Sequence, residues 1–266
     1  MAGASVTLTS GLRLSYAERG AVSDPAVVLL PGPTDAWRSY EPVLDRLPPG
    51  IRAIAISARG HGDSDKPDGG YAVADFAGDV VEALDAFGIA RAVLTGHSGS
   101  CLVARRVALD HPERVAGLVL EASPTRLASD PALREYVDSV VMQVEDPIAP
   151  EFARSFLAET SSERVAPETI DALVDDVCKV PARVWHEMFA QLLAYDDWAA
   201  LPRITVPALL IWGNRDAVVS REMQDALVAR VPNAALTVYA GAGHTPRWED
   251  PQRFADDLAA FVRRTA

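Results

Sequence analysis

The stretch "RAVLTGHSGSCLVARRVALDHPERVAGLVLEAS", Arg91 to Ser123, constrains the fold more than any other part of the chain. A short apolar run stops at Gly96-His97-Ser98-Gly99-Ser100, and a helical apolar spacing begins directly after it. A second apolar run, "VAGLVLEA", follows. Strand, helix and strand in this order imply a parallel pair joined by a right-handed crossover, with the helix covering the sheet. The glycines beside Ser98 admit two readings. Either they only make a tight strand-to-helix turn, or the turn exists to present the Ser98 hydroxyl.

The same alternation runs along most of the chain. "SVTL" and "LRLSYAERG" read as an N-terminal hairpin hinged at Ser10-Gly11. The runs at 26–30, 51–57, 92–95, 115–122, 206–213 and 234–241 are continuously apolar, as in strands buried on both faces. Amphipathic helical spacing covers 35–47, 73–87, 99–110, 220–230 and 249–263. Repeated β-then-α order predicts an α/β fold with a mostly parallel sheet and helices on both faces. From Pro124 to Leu201 no strand pattern appears, and Pro131, Pro147, Pro150, Pro167, Pro181 and Pro202 punctuate helical segments. The expectation is a core of residues 1–123 and 202–266, with 124–201 inserted as a helical lobe.

Composition narrows the partners. A formal net charge of −12 argues against nucleic acid and anionic membrane surfaces, which reward clustered Lys and Arg. The two cysteines, Cys101 and Cys178, support neither a disulfide framework nor a metal cluster. H-x-x-x-H and C-x-x-C spacings are lacking, as is G-x-G-x-x-G after the first buried strand, so neither metal nor cofactor is expected. The N-terminus lacks a basic region followed by an apolar run, and no apolar stretch reaches the roughly 20 residues that span a bilayer. A cytoplasmic protein is expected.

In open parallel sheets ligands bind beyond the carboxyl ends of the strands. That rule puts Pro31–Asp35, Ser57–Asp65, Gly96–Ser100, Gly213–Val219 and Gly241–Arg247 on one rim. These loops hold Ser98, Asp216 and His244. A serine hydroxyl becomes a nucleophile when an imidazole takes its proton, and a carboxylate holds that imidazole in the right tautomer. Glu121 is the alternative carboxylate. Among the other histidines, His97 reads as a spacer, His61 and His111 as loop and helix-end residues, and His186 as a candidate contact from the lobe.

Ser, Asp and His in this chain order, with "LLPG" (29–32), Trp37, "RGHGDSDKP" (59–67), "GHSGS" (96–100), "LLIWGNRD" (209–216) and "GAGHTPRWEDP" (241–251), resemble the α/β-hydrolase fold family over almost the whole chain. The closest type is its small cap-bearing serine esterases and lactonases. The resemblance implies a mostly parallel, eight-stranded α/β-hydrolase sheet, a cap formed by the inserted lobe, and Ser98, Asp216 and His244 as catalytic residues. It makes the Gly99 N–H one oxyanion-hole donor. The second donor comes in the family from the residue after the HG pair, which here is Pro33, and proline has no N–H. Thr34 is the neighbouring replacement. Ser100 stands where the elbow's last glycine would be, and Ser57-Ala58-Arg59 replaces the usual aspartate before the RGxGxS run. Trp37, Trp185, Phe189, Leu192, Trp198 and Trp248 are the expected pocket residues.

The resulting expectation is a cofactor-independent serine hydrolase cleaving a carboxylic ester or lactone of a largely hydrophobic small molecule. The altered Pro33 position motivates a non-hydrolytic alternative, namely a lyase, cyclase or cofactor-free oxygenase. A small-molecule sensor with slow hydrolysis is the third reading.

Overall fold

The computed structural model describes residues 3–265, apart from the side chain of Ser129. Its strands are β1 (Ala4–Thr7), β2 (Arg13–Arg19), β3 (Ala26–Leu30), β4 (Arg52–Ile56), β5 (Ala92–His97), β6 (Val115–Glu121), β7 (Ala208–Gly213) and β8 (Ala234–Tyr239). They form one eight-stranded sheet in the order β1-β2-β4-β3-β5-β6-β7-β8. β2 pairs antiparallel with β1 and with β4, and every other pairing is parallel. The β1–β2 hairpin turns at Gly11, whose φ of 87° is open to glycine at no steric cost.

Period-two alternation divides the apolar strand residues between two cores. Val28, Leu30, Ile54, Leu94, Leu118 and Leu210 face one side. Their neighbours Val27, Leu29, Ala53, Val93, Val119 and Leu209 face the other. Both sides therefore need helices. Before β6 the chain supplies α1 (Glu41–Leu44), α2 (Val73–Ala86) and α3 (Ser100–Asp110). Between β6 and β7 come α4 (Pro131–Ser139), α5 (Pro150–Glu159), α6 (Pro167–Cys178) and α7 (Ala182–Ala194), with no strand among the described residues. After β7 come α8 (Arg221–Arg230), α9 (Pro246–Glu249) and α10 (Pro251–Thr265). Phe76 of α2, Leu102 of α3 and Leu227 of α8 pack on the first face. Val43 of α1 and Phe254, Leu258 and Phe261 of α10 pack on the second. Each such buried side chain contributes about 1.5–3 kcal/mol.

Two local expectations change. The helix anticipated over 35–47 is a 3-10 turn at Trp37–Tyr40 followed by the four-residue α1. Pro42 sits in the first turn of α1, where its missing N–H is harmless, and so restarts the helix instead of continuing it. Similarly, Pro131, Pro150 and Pro167 do not interrupt helices; each is the first residue of one.

Both ends of the segment between β6 and β7 are held by one buried cation. Arg105 of α3 pairs bidentately with Asp197, Nε to Oδ2 at 2.9 Å and Nη2 to Oδ1 at 2.7 Å. It also donates to the carbonyls of Pro124 and Thr125. No helix among the described residues is long and apolar enough to cross a membrane.

Candidate active site

β5 lies at the middle of the sheet, beside β3 and β6, so the loops that follow β5 and β3 are neighbours at the carboxyl edge. The turn after β5 is tight. A Cβ on Gly96 would come within 2.6 Å of the Ser100 carbonyl oxygen, so only glycine lets strand and helix approach this closely. Ser98 itself has φ 52°, in the left-handed region that costs an L-residue about 1–2 kcal/mol. Its N–H is held by the Glu121 carbonyl of β6 at 2.9 Å. The strained turn is thus fastened by the neighbouring strand, and Ser98 lines a cavity of about 350 Å³.

His244 lines the same cavity. Its loop is brought to the end of β7 by a close backbone approach: a Cβ on Gly213 would lie 2.2 Å from the Gly243 carbonyl oxygen. The Arg215 N–H donates to the Ala242 carbonyl at 2.8 Å, and the Gly241 N–H to Asn214 Oδ1 at 2.7 Å. With the loops joined, His244 Nδ1 and Asp216 Oδ2 are 2.9 Å apart, with side chains 4% and 0% exposed. The other carboxylate oxygen, Oδ1, accepts the N–H groups of Val218 and Val219. Asp216 is therefore fixed in orientation, Nδ1 carries the shared proton, and the lone pair of His244 resides on Nε2.

Glu121, the alternative carboxylate, is engaged elsewhere. Its Oε1 accepts the Arg247 N–H at 2.9 Å, and its Oε2 faces Arg247 Nη1 at 3.3 Å. Arg247 also reaches Asp35 Oδ2 at 2.7 Å and lies over the Trp248 ring at 4.4 Å. Sequence reasoning missed this buried Asp35–Arg247–Glu121 cluster, although an arginine next to the histidine loop in "HTPRWEDP" was a readable signal. Burial raises the Asp35 carboxyl to about 6, against the opposing pull of Arg247, and raises Glu121 as well.

His97 is more than a spacer. It is buried, its Nε2 donates to the His244 carbonyl at 3.0 Å, and its Nδ1 has no partner. Burial, helped by Arg247 and His244, drives its basicity far below normal, so it stays neutral. Glu249, also unforeseen, accepts the Gly243 N–H at 2.9 Å and the Ser162 hydroxyl, joining the His244 loop to the α5–α6 connection.

The loop after β3 is a type II turn. The Asp35 N–H donates to the Gly32 carbonyl at 3.0 Å, Pro33 is the second residue, and Thr34 sits third with φ 74°. Pro33 lines the cavity. Thr34 does not: it is fully buried, and its hydroxyl has no partner. The Ser100 hydroxyl donates to the Pro31 carbonyl at 2.5 Å, which ties the loop to the start of α3. Gly99 precedes the first intrahelical bond of α3, so its N–H has no acceptor within the helix.

Of the expected pocket residues, Phe189, Leu192 and Trp248 line the cavity. Three tryptophans do not. Trp37 packs in the second core beside β2, and its backbone N–H donates to Ser57 Oγ. Trp185 is fully buried inside the helical segment among Phe152, Phe156 and Phe189. Trp198 lies against the guanidinium groups of Arg126 and Arg230. In each case aromatic area is used for packing, which helical spacing alone cannot distinguish from lining. His186 also stays away from the cavity, bonded to the Val144 carbonyl. Among the described residues, no group of three or more His, Cys, Asp or Glu is placed to hold a metal.

Residues 25–251 match the family model of the alpha/beta hydrolase fold, and the chain belongs to that family. A curated relative, a 2-hydroxy-6-oxononadienedioate/2-hydroxy-6-oxononatrienedioate hydrolase of Burkholderia vietnamiensis, is 30% identical over 95% of this chain and 92% of its own. Among solved structures, a hydrolase from Pseudomonas aeruginosa is 28% identical, with a TM-score of 0.85 over 98% of each chain. An esterase from Rhodococcus is 27% identical, with a TM-score of 0.85 over 100% of each.

Proposed function

We propose that the protein is a serine hydrolase that cleaves a carboxylic ester or lactone of a largely apolar, uncharged small molecule without a cofactor. Residues 124–201 serve as its cap. The observation that carries the reading is the oriented His244–Asp216 pair on the same cavity as Ser98.

The chemistry follows from that arrangement. His244 Nε2 takes the Ser98 proton as Oγ bonds to the carbonyl carbon, and the carbonyl π electrons move to oxygen. The Gly99 N–H and the start of α3 stabilise that oxyanion. Collapse breaks the bond to the leaving oxygen, which takes the proton from His244. Water, deprotonated by His244, then attacks the acyl-enzyme and frees Ser98. Asp216 keeps the imidazole oriented and stabilises it when charged.

The cavity bears on the substrate. Among the described residues no Lys or Arg lines it, whereas Asp35, Asp130 and Glu159 do, so an anionic group would find no cationic side chain there. That argues against carrying over the dioate in the Burkholderia relative's name. Fluorophosphonate labelling of Ser98, with hydrolysis of short p-nitrophenyl esters, is the direct test. A folded protein that is neither labelled nor active refutes the reading.

Pro33 supports a second reading. With no N–H at residue 33, and Thr34 buried away from the cavity, one oxyanion donor is lacking. A non-hydrolytic lyase, cyclase or oxygenase that uses His244 for proton transfer depends less on that donor.

A further inference from the structure

A second cavity, of about 50 Å³, lies behind the first. The two share Pro33, Asp35, Gly99 and Leu192, but Ser98 and His244 line only the larger one. The wall between them is thin. The Leu192 methyl carbons lie 3.1 and 3.4 Å from where a Cβ on Gly99 would be, and Pro33 Cγ lies 2.8 Å from the same point. Leu192 of the lid helix α7 thus rests directly on the glycine after Ser98.

The small cavity is built for an apolar occupant. Phe76, Val80, Val103 and Met188 contribute to its walls. Most of the polar groups that face it are engaged: Asp35 by Arg247, Asp79 by the Arg59 guanidinium, the Ser100 hydroxyl by the Pro31 carbonyl, and His61 Nδ1 by the Arg59 carbonyl, which leaves the His61 Nε2 edge. A polar ligand would find few partners. The volume is well above the roughly 10–15 Å³ that one water requires, and suits about two or three carbon atoms.

We infer that this small cavity is the acyl-chain subsite and that Leu192 sets the chain length the enzyme accepts. The inference rests on the serine-hydrolase reading and adds the direction in which the substrate lies. A leaving oxygen must take its proton from His244, which faces only the large cavity, so the alcohol part lies there. The oxyanion sits at the Gly99 N–H. The remaining substituent of the tetrahedral carbon, the acyl chain, is directed at the Gly99–Pro33–Leu192 wall. With leucine in place the chain stops at the wall; with the leucine shortened it continues into the space behind.

The experiment compares kcat/KM for p-nitrophenyl acetate, butyrate and hexanoate, after fluorophosphonate labelling has established that Ser98 reacts. Wild type favours acetate. Leu192→Ala raises the butyrate-to-acetate ratio by about tenfold or more, the scale of discrimination a hydrophobic pocket achieves per methylene. Adding Val103→Met, at a position that lines only the small cavity, returns the ratio toward wild type. Leu193→Ala, which borders only the large cavity, leaves the ratio within about twofold, a change too small to match one methylene. An active Leu192→Ala enzyme with an unchanged ratio overturns the inference while leaving the hydrolase reading intact. An unlabelled, inactive wild type overturns both.

Discussion

Pro33 lies against Gly99 so tightly that a methyl group on Gly99 would come within 2.8 Å of Pro33 Cγ. The contact forms part of the wall of the cavity beside Ser98, and it does so with the one residue type that cannot donate a backbone hydrogen bond.

Restoring that donor is informative. Pro33→Ala should raise ester kcat by about tenfold or more, since a single oxyanion donor is worth roughly 10²–10³ in kcat. A fall, or no change, would place the second donor elsewhere or remove the need for one.

The His244–Asp216 pair yields a sharper expectation. Asp216→Asn keeps the shape but favours the wrong imidazole tautomer, and kcat should drop by about 10⁴-fold. Glu121→Gln, at a carboxylate bonded to Arg247 instead, should leave the pH–rate profile in place. If Glu121→Gln proves as damaging to kcat as Asp216→Asn in a folded protein, the carboxylate assignment is wrong.

Acid stability has a named contributor. Burial lowers His61 to about 4, and no carboxylate pairs with it. Above about pH 6.5 it is neutral in both states. As pH falls, the unfolded chain takes up a proton that the native state refuses, so stability declines until about pH 4 and then levels. The full decline from this group is about 3 kcal/mol. Asp35, raised to about 6, acts in the opposite sense and regains stability between pH 6 and 4, while His97 acts like His61. Urea unfolding across this range should show a flatter acid limb for His61→Asn than for wild type. Parallel curves would refute the assignment.

The buried cluster below the site predicts a pattern of rescue. Arg247→Met leaves Asp35 and Glu121 buried without their cation and should destabilise the fold by about 3–5 kcal/mol. Combining it with Asp35→Asn and Glu121→Gln should recover a large part of the loss in a denaturant titration. Additive losses instead would mean that Arg247 acts through packing on Trp248 alone.

Much of the architecture was legible from local patterns. Continuous apolar runs located β3 to β7, because a strand buried on both faces has no polar side to show, and the run at 234–241 located the half-exposed edge strand β8. The glycines around Ser98 marked the turn, because steric limits on strand–helix approach depend on only a few adjacent residues. The spacing over 35–47 does not distinguish one helix from the 3-10 turn and short α1 that Pro42 separates, because apolar periodicity carries no record of a missing N–H.

By itself, then, the chain determined its strand–helix order, the tight turn at Ser98, the missing N–H at Pro33 and which Ser, Asp and His fall in the rim loops. Those properties are local or chemical. Only tertiary structure decided that Asp216 and not Glu121 meets His244, that Trp37, Trp185 and Trp198 pack away from the cavity, and that Leu192 borders two cavities. Such outcomes depend on distances between segments far apart in the chain, which local spacing does not encode.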